Sequence, residues 1–148
     1  MQFVGTQEYQ LDDRNRVPIP PGYRAAFKDG GYIQGGTDAY LILHTPASFE
    51  QAAAVIEELP EETDEGEEAR RDFYGSTWAI QPDAQGRVVM TREMLEHAAL
   101  TREVIVVGTG RRMEIWDRAN YASREEQRKA SRRSAMNRRV ATTGSEGA

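Results

Sequence analysis

Residues 11–20 read LDDRNRVPIP and residues 82–91 read PDAQGRVVMT. In both stretches an acid is followed by three variable residues, an arginine and an apolar run, and the pair Asp12/Arg16 recurs as Asp83/Arg87, displaced by 71 positions. The fourth position is Asn15 in one copy and Gly86 in the other. These residue types accept a positive φ most easily, so both copies are expected to turn through the left-handed region. Asp12 and Asp83 then organise the turn, accepting hydrogen bonds from its N–H groups and holding the arginine four residues on.

Working outward, the two halves repeat one order of elements. Residues 3–11 alternate with Phe3, Tyr9 and Leu11 on one face, which reads as a strand. Val17 and Ile19 alternate after the turn, so the segment reads as a hairpin, ended by Pro18, Pro20 and Pro21. GYRAAFKD (22–29) forms a short helix or turn, with Tyr23, Ala26 and Phe27 inward. AYLILH (39–44) is a strand, and Thr45-Pro46 opens a helix to about Leu59. The second half follows suit: STWAIQP, the turn DAQG, RVVM, a helix capped by Thr91, then EVIVVG, MEIW and a terminal helix capped by Asp117. GTG (108–110) has too few glycines for a phosphate loop and reads as the turn between two strands. The last residues, VATTGSEGA (140–148), are expected to be disordered.

The expected organisation is a first unit (1–58), an acidic linker or helix (59–72), a second unit (73–123) and a basic helix with a tail (124–148). Units of about 70 residues bury little surface alone and must pack into one another or into further subunits. The net charge of −5 argues against a nucleic-acid partner only as an average. EELPEETDEGEE (57–68) holds eight acids and no base, whereas 124–139 holds Arg124, Arg128, Lys129, Arg132, Arg133, Arg138 and Arg139 against Glu125 and Glu126. Such asymmetry separates charges onto different faces or tails.

Other chemistries find little support. The chain has no cysteine, hence no disulfide or thiolate zinc site, and His44 and His97 lack metal-binding spacing. Trp78 and Trp116 lie on apolar faces and read as core or subunit contacts. No nucleophile arrives with a base, so neither catalysis nor cofactor, metal or small-molecule substrate is expected. No run of about 18 apolar residues and no signal-peptide pattern is present, so a soluble cytoplasmic chain without membrane contact is expected.

An exposed turn carrying arginine fits a DNA groove, because a β-ribbon enters the major groove and arginine bonds guanine O6 and N7 in bidentate fashion. One such turn binds weakly; rigid repetition adds effective concentration. Arg14 and Arg16 both read as residues of an exposed tip.

LDDRNRVPIPPGYR and DAQGRVVMTREMLEHAALTREVIVVGTGRRMEIWD resemble the two signatures of the MraZ family of bacterial transcriptional regulators. The resemblance runs from about Phe3 to Tyr121. It implies a mixed α+β, mainly β fold of two tandem intertwined swapped-hairpin (AbrB/SpoVT-like) units assembled into a ring. It also implies binding of double-stranded DNA at closely spaced direct repeats upstream of the division and cell-wall gene cluster, usually with repression, at the nucleoid. Carried over by position, the DNA-contacting set is Arg14, Arg16, Gln85 and Arg87. Asp12, Asn15, Asp83 and Gly86 organise the turns, and Arg24 is an auxiliary phosphate contact. The basic C-terminal helix has two readings of its own, auxiliary phosphate contacts through Arg128, Arg132 and Arg133 or a solvated end. Asn15, Thr91, Leu95 and Ala99 depart from the usual glycine, proline, arginine and glycine. Arg24 keeps the arginine that Leu95 lost, so the first turn reads as electrostatically better equipped. The rival readings are an architectural scaffold of the same fold, a hydrolase built on Asp12 or Asp83, and an antitoxin-like relative.

Overall fold

The computed structural model describes residues 1–146, with side chains through Val140. The chain falls into two compact units, Met1–Asp117 and Arg118–Ala148. The first contains strands β1 (Thr6–Gln10), β2 (Arg16–Pro18), β3 (Gly31–Gly35), β4 (Tyr40–His44), β5 (Thr77–Ile80), β6 (Arg87–Val89), β7 (Glu103–Gly108) and β8 (Met113–Asp117). It also holds helices α1 (Pro46–Glu57), α2 (Asp64–Gly75) and α3 (Arg92–His97), and a 3-10 helix at Pro21–Phe27.

The strands on either side of each turn do not pair with each other. β1 pairs with β7 and β5 with β3, while β2 pairs antiparallel with β6, Val17 facing its own equivalent Val88. The simple hairpins read from the sequence are therefore corrected: each copy completes its pairing on the other copy. The reason lies in the short return strands. Pro18 interrupts β2 and Pro20 and Pro21 follow it, leaving three residues that cannot extend a ladder along β1. The larger sheet runs β1-β7-β8-β4-β3-β5, all neighbours antiparallel. That order reads the same from either end once each strand is replaced by its repeat equivalent, so the copies are related by a pseudo-two-fold axis between β4 and β8. The fold is mixed, mainly strands with helices.

Local signals fix the helix starts. The Thr45 hydroxyl accepts from the Ser48 N–H at 3.1 Å with Pro46 following, and Thr91 accepts from the Met94 N–H at 3.3 Å. Such caps satisfy N–H groups the helix cannot. Thr63 does the same for α2, which begins in the acidic stretch and carries Asp64, Glu65 and Glu67 in its first turn, where the helix dipole favours them.

One face of the six-stranded sheet supplies Ile33, Leu41, Leu43, Val106, Met113 and Ile115 to a core shared with the return strands and the short helices. Because residues of both copies line it, neither copy owns a core. On the opposite face at β3 and β4, Phe49 of α1 stacks on Tyr32 at 4.1 Å between ring centroids, and Phe73 of α2 stacks on Phe49 at 5.3 Å. His44 is buried there, bonded to Ser48 Oγ at 2.9 Å and to Gln34 Oε1 at 3.3 Å, and Gln34 in turn donates to the Phe73 carbonyl. Trp116 stacks on Tyr40 at 4.7 Å.

In the second unit, α4 (Arg118–Glu146) is one helix of 29 residues. The stretch 140–148, read as disordered, is helical as far as Glu146; Gly147 and Ala148 lie outside the described residues. Arg128 lies over the Tyr121 ring, 5.6 Å from its centroid. Among the described residues no helix is long and apolar enough to cross a membrane.

Two expectations follow. Leu43→Ala should cost about 2–5 kcal/mol in denaturant unfolding, whereas exposed Val55→Ala should change stability by no more than about 0.5 kcal/mol. Burial, helped by the charge of Arg112, lowers the His44 pKa from 6.5 to about 4. Its neutral form is the folded form, so its contribution is complete above pH 6.5 and fades as pH falls towards about 4. His44→Gln should flatten stability across that interval in a pH series of unfolding curves.

Candidate nucleic-acid interface

The two turns are built alike, atom for atom. Asp12 Oδ1 accepts from the N–H groups of Arg14 and Arg16, both at 2.9 Å, and Asp83 Oδ1 accepts from those of Gln85 and Arg87 at the same distances. The second carboxylate oxygen takes the arginine side chain: Arg16 Nε to Asp12 at 2.7 Å, and Arg87 Nε to Asp83 at 2.9 Å. Asn15 (φ 56°) and Gly86 (φ 75°) supply the left-handed position.

Pairing of β2 with β6 places the turns side by side. The Ile19 N–H donates to the Gly86 carbonyl at 2.8 Å and the Met90 N–H to the Asn15 carbonyl at 2.7 Å, so each turn is anchored on the strand leaving the other. Arg16 Nη1 reaches Asp83 at 3.4 Å and Arg87 Nη1 lies 3.9 Å from Asp12. Two carboxylates and two guanidinium groups thus form one reciprocal cluster across the axis. Hydrogen bonds, first from the Arg87 N–H and then from its guanidinium and the Gln85 N–H, hold the Asp83 carboxyl below the usual carboxylate range against some desolvation. For Asp12, desolvation pushes upward but is outweighed by the N–H groups of Arg16 and Arg14 and the Arg16 side chain, so it too titrates low.

The tip residues divide on this geometry. The Arg14 side chain is exposed and makes no hydrogen bond or ion pair among the described residues. Arg16, by contrast, is only 17% exposed, so the reading of Arg14 and Arg16 as a matched pair at an open tip is corrected: Arg16 is tied down by two carboxylates. Arg87 is 33% exposed and also donates through Nη2 to Gln85 Oε1 at 3.1 Å.

Arg24 brings a second correction. Its stem lies across Gly86, where an added Cβ would sit 2.5 Å from Arg24 Cδ, and its Nε donates to the Ile19 carbonyl at 3.3 Å. Arg24 therefore serves the second turn, although the first copy encodes it. The interleaving of strands carries it there, which position in the chain could not reveal. A groove of about 310 Å3 beside the second turn is lined by Arg24, Lys28, Pro82, Asp83, Ala84 and others. Its counterpart beside the first turn, about 300 Å3, is lined by Leu11, Asp12, Asp13, Asn15, Thr101 and Arg102. Asp13, Lys28 and Arg102 carry no motif that singles them out in the sequence. The spacing of Arg24 and Lys28 on the short helix is the signal that could have found a shared cationic face.

Arg128, Arg132 and Arg133 are exposed on α4, in the separate second unit. Among the described residues no group of three or more His, Asp or Glu could hold a metal ion.

Comparison with known proteins bears on this duplicated architecture. A family described as "MraZ protein, putative antitoxin-like" matches twice, over residues 2–72 and 73–142. The chain belongs to the MraZ family. Relatives named transcriptional regulator MraZ include that of Saccharopolyspora erythraea, 35% identical over 78% of this chain and 80% of its own. That of Thermomicrobium roseum is 32% identical over 84% and 87%, and that of Salinispora tropica 32% over 82% and 85%. The family assignment supports a transcriptional regulator.

Both aspartates being depressed, the bonding they provide is complete above the ordinary value of 3.8 and is lost as pH falls below it. Amide resonances of 12–16 and 83–87 should hold steady from pH 7 to about 4 and move together below that. Gly86→Ala should destabilise by about 1–2 kcal/mol through its left-handed backbone alone, while also displacing Arg24. Asn15→Gly should stay within about 1 kcal/mol of the parent. Equal costs at the two positions in denaturant unfolding would contradict the account.

Proposed function

We propose that the chain is a sequence-specific, DNA-binding transcriptional regulator, acting as a repressor of the division and cell-wall gene cluster through direct repeats in its own upstream region. The observation that carries this reading is the placement of both turns on one side of the β2·β6 pair, so that their cations are offered together to one partner. Arg14, Arg16, Gln85 and Arg87 form the DNA-facing set, with Asp12, Asn15, Asp83 and Gly86 holding the turns in shape. Arg24 adds a phosphate contact at the second turn, and Arg128, Arg132 and Arg133 add others from α4. Phosphate neutralisation of this kind releases counterions and makes affinity steeply salt-dependent.

In this reading the units 1–58 and 73–123, joined by 59–72 and followed by 124–148, are two swapped-hairpin units of AbrB/SpoVT type. The interleaved pairing of β1 with β7 and β5 with β3 supports it. Copies of the chain assemble into a ring that presents several pairs of turns to repeated sites at the nucleoid, using avidity rather than new contacts. The edge strands β1 and β5 are where the sheet is left open.

The commitment of Arg16 and Arg87 to carboxylates favours one second reading, an assembly scaffold in which the turns serve architecture and DNA is incidental. Fluorescence anisotropy with the upstream DNA decides between them. Arg16→Ala and Arg87→Ala should each weaken binding about fivefold or more, since removing a bidentate arginine from a base edge costs about 1–3 kcal/mol. If both bind like the parent while oligomer mass changes in light scattering, the scaffold reading replaces this one.

A further inference from the structure

We infer that the two turns divide the work on DNA: the first reads a G·C base pair through Arg14 and Asp13, and the second clamps a backbone phosphate through Arg24 and Lys28. The inference rests on the DNA-binding reading and names the chemistry each turn meets.

The pseudo-two-fold relation makes this a sharp comparison, because equivalent positions see equivalent surroundings. At the first tip stand Asp13 and Arg14, both exposed; at the second stand Ala84 and Gln85. A carboxylate beside an unpaired guanidinium repels phosphate. The same pair matches the major-groove edge of a G·C pair, where arginine donates to guanine O6 and N7 and a carboxylate accepts from cytosine N4. The second tip cannot do this. It has no charge, and its one amide is engaged through Oε1 by Arg87 Nη2 at 3.1 Å.

The flanks are reversed. Beside the second turn, Arg24 is pinned by Nε to the Ile19 carbonyl and by its stem across Gly86, and its terminal nitrogens make no hydrogen bond among the described residues. Lys28 lines the same groove, exposed and with no ion pair among the described residues. The groove's one acid, Asp83, is already held by Arg87 at 2.9 Å and Arg16 at 3.4 Å. Two unspent cations around a cleft of about 310 Å3 suit one phosphate group. At the corresponding positions of the other flank the chain has Leu95 and Ala99, Leu95 packs against the core, and the one cation lining that groove, Arg102, shares it with Asp12 and Asp13. The division therefore rests on residues that differ between the copies, Asp13-Arg14 against Ala84-Gln85 and Arg24 and Lys28 against Leu95 and Ala99, while the matching Arg16 and Arg87 serve both turns alike.

The test compares Arg14→Ala with the double variant Arg24→Ala/Lys28→Ala, each checked for parental circular dichroism. Binding to a duplex from upstream of the chain's own gene and to a scrambled duplex of equal length is followed across a salt series. Arg14→Ala should weaken the upstream duplex by about 5- to 150-fold while leaving scrambled DNA nearly unchanged, so the specificity ratio collapses. The double variant should weaken both duplexes alike, preserve the ratio, and lower the slope of log affinity against log salt by about 0.9 per chain engaged. Arg24→Lys should retain the slope. A collapsed ratio in the double variant, or a preserved ratio in Arg14→Ala, overturns the division while leaving DNA binding intact. Failure of the parent to bind either duplex removes the functional reading and this inference with it.

Discussion

The reciprocal ion cluster of Asp12, Arg16, Asp83 and Arg87 is the constraint on which the rest hangs. Each aspartate closes its own turn through two backbone N–H groups and one guanidinium, and each arginine extends to the aspartate of the other copy. The strands that bring them together are only three residues long, one of them ending in proline. So short a ladder is marginal by itself. It persists because Val17 and Val88 bury beneath it and the four charges neutralise one another above it. Removing any one charge leaves two like charges facing a single partner.

Duplication explains both the symmetry and its failure. A sheet ordered β1-β7-β8-β4-β3-β5 requires two nearly equal copies, because each strand of one copy must meet a strand of the other in register. That register depends on Val17 meeting Val88, on Leu43 meeting Met113, and on the shared contacts of Asp12 and Asp83. It leaves the outward tips free to diverge. Asp13-Arg14 and Ala84-Gln85 have done so, and the flank residues Arg24 and Leu95 likewise. An intramolecular pair of turns can thus be asymmetric in a way that a symmetric dimer of identical turns cannot.

Much of the local structure was legible in the sequence. Alternation located the strands except β3 (Gly31–Gly35), whose glycine-flanked YIQ is too short to show a period, Thr45 and Thr91 marked helix starts, and the paired Asn15 and Gly86 announced the left-handed turn positions. What stayed hidden was which strand meets which. The pattern L-x-x-x-x-x-V-x-I suits a hairpin closed on itself as well as one closed on a duplicate, since periodicity reports faces and not partners. That single ambiguity propagated to the site. Arg16 reads as an exposed tip residue until Asp83 arrives from 67 positions away, and Arg24 reads as equipment of the first turn until β6 carries Gly86 beneath it.

The central claim is that both turns meet one duplex together. Amide hydrogen exchange with and without duplex DNA tests it most directly, because the N–H groups of Arg14, Arg16, Gln85 and Arg87 all report on the turns. The account predicts that exchange slows in 12–16 and 83–87 in parallel as DNA is added, reaching saturation at the same DNA concentration. Slowing confined to α4, with both turns exchanging as they do in the free protein, would contradict it.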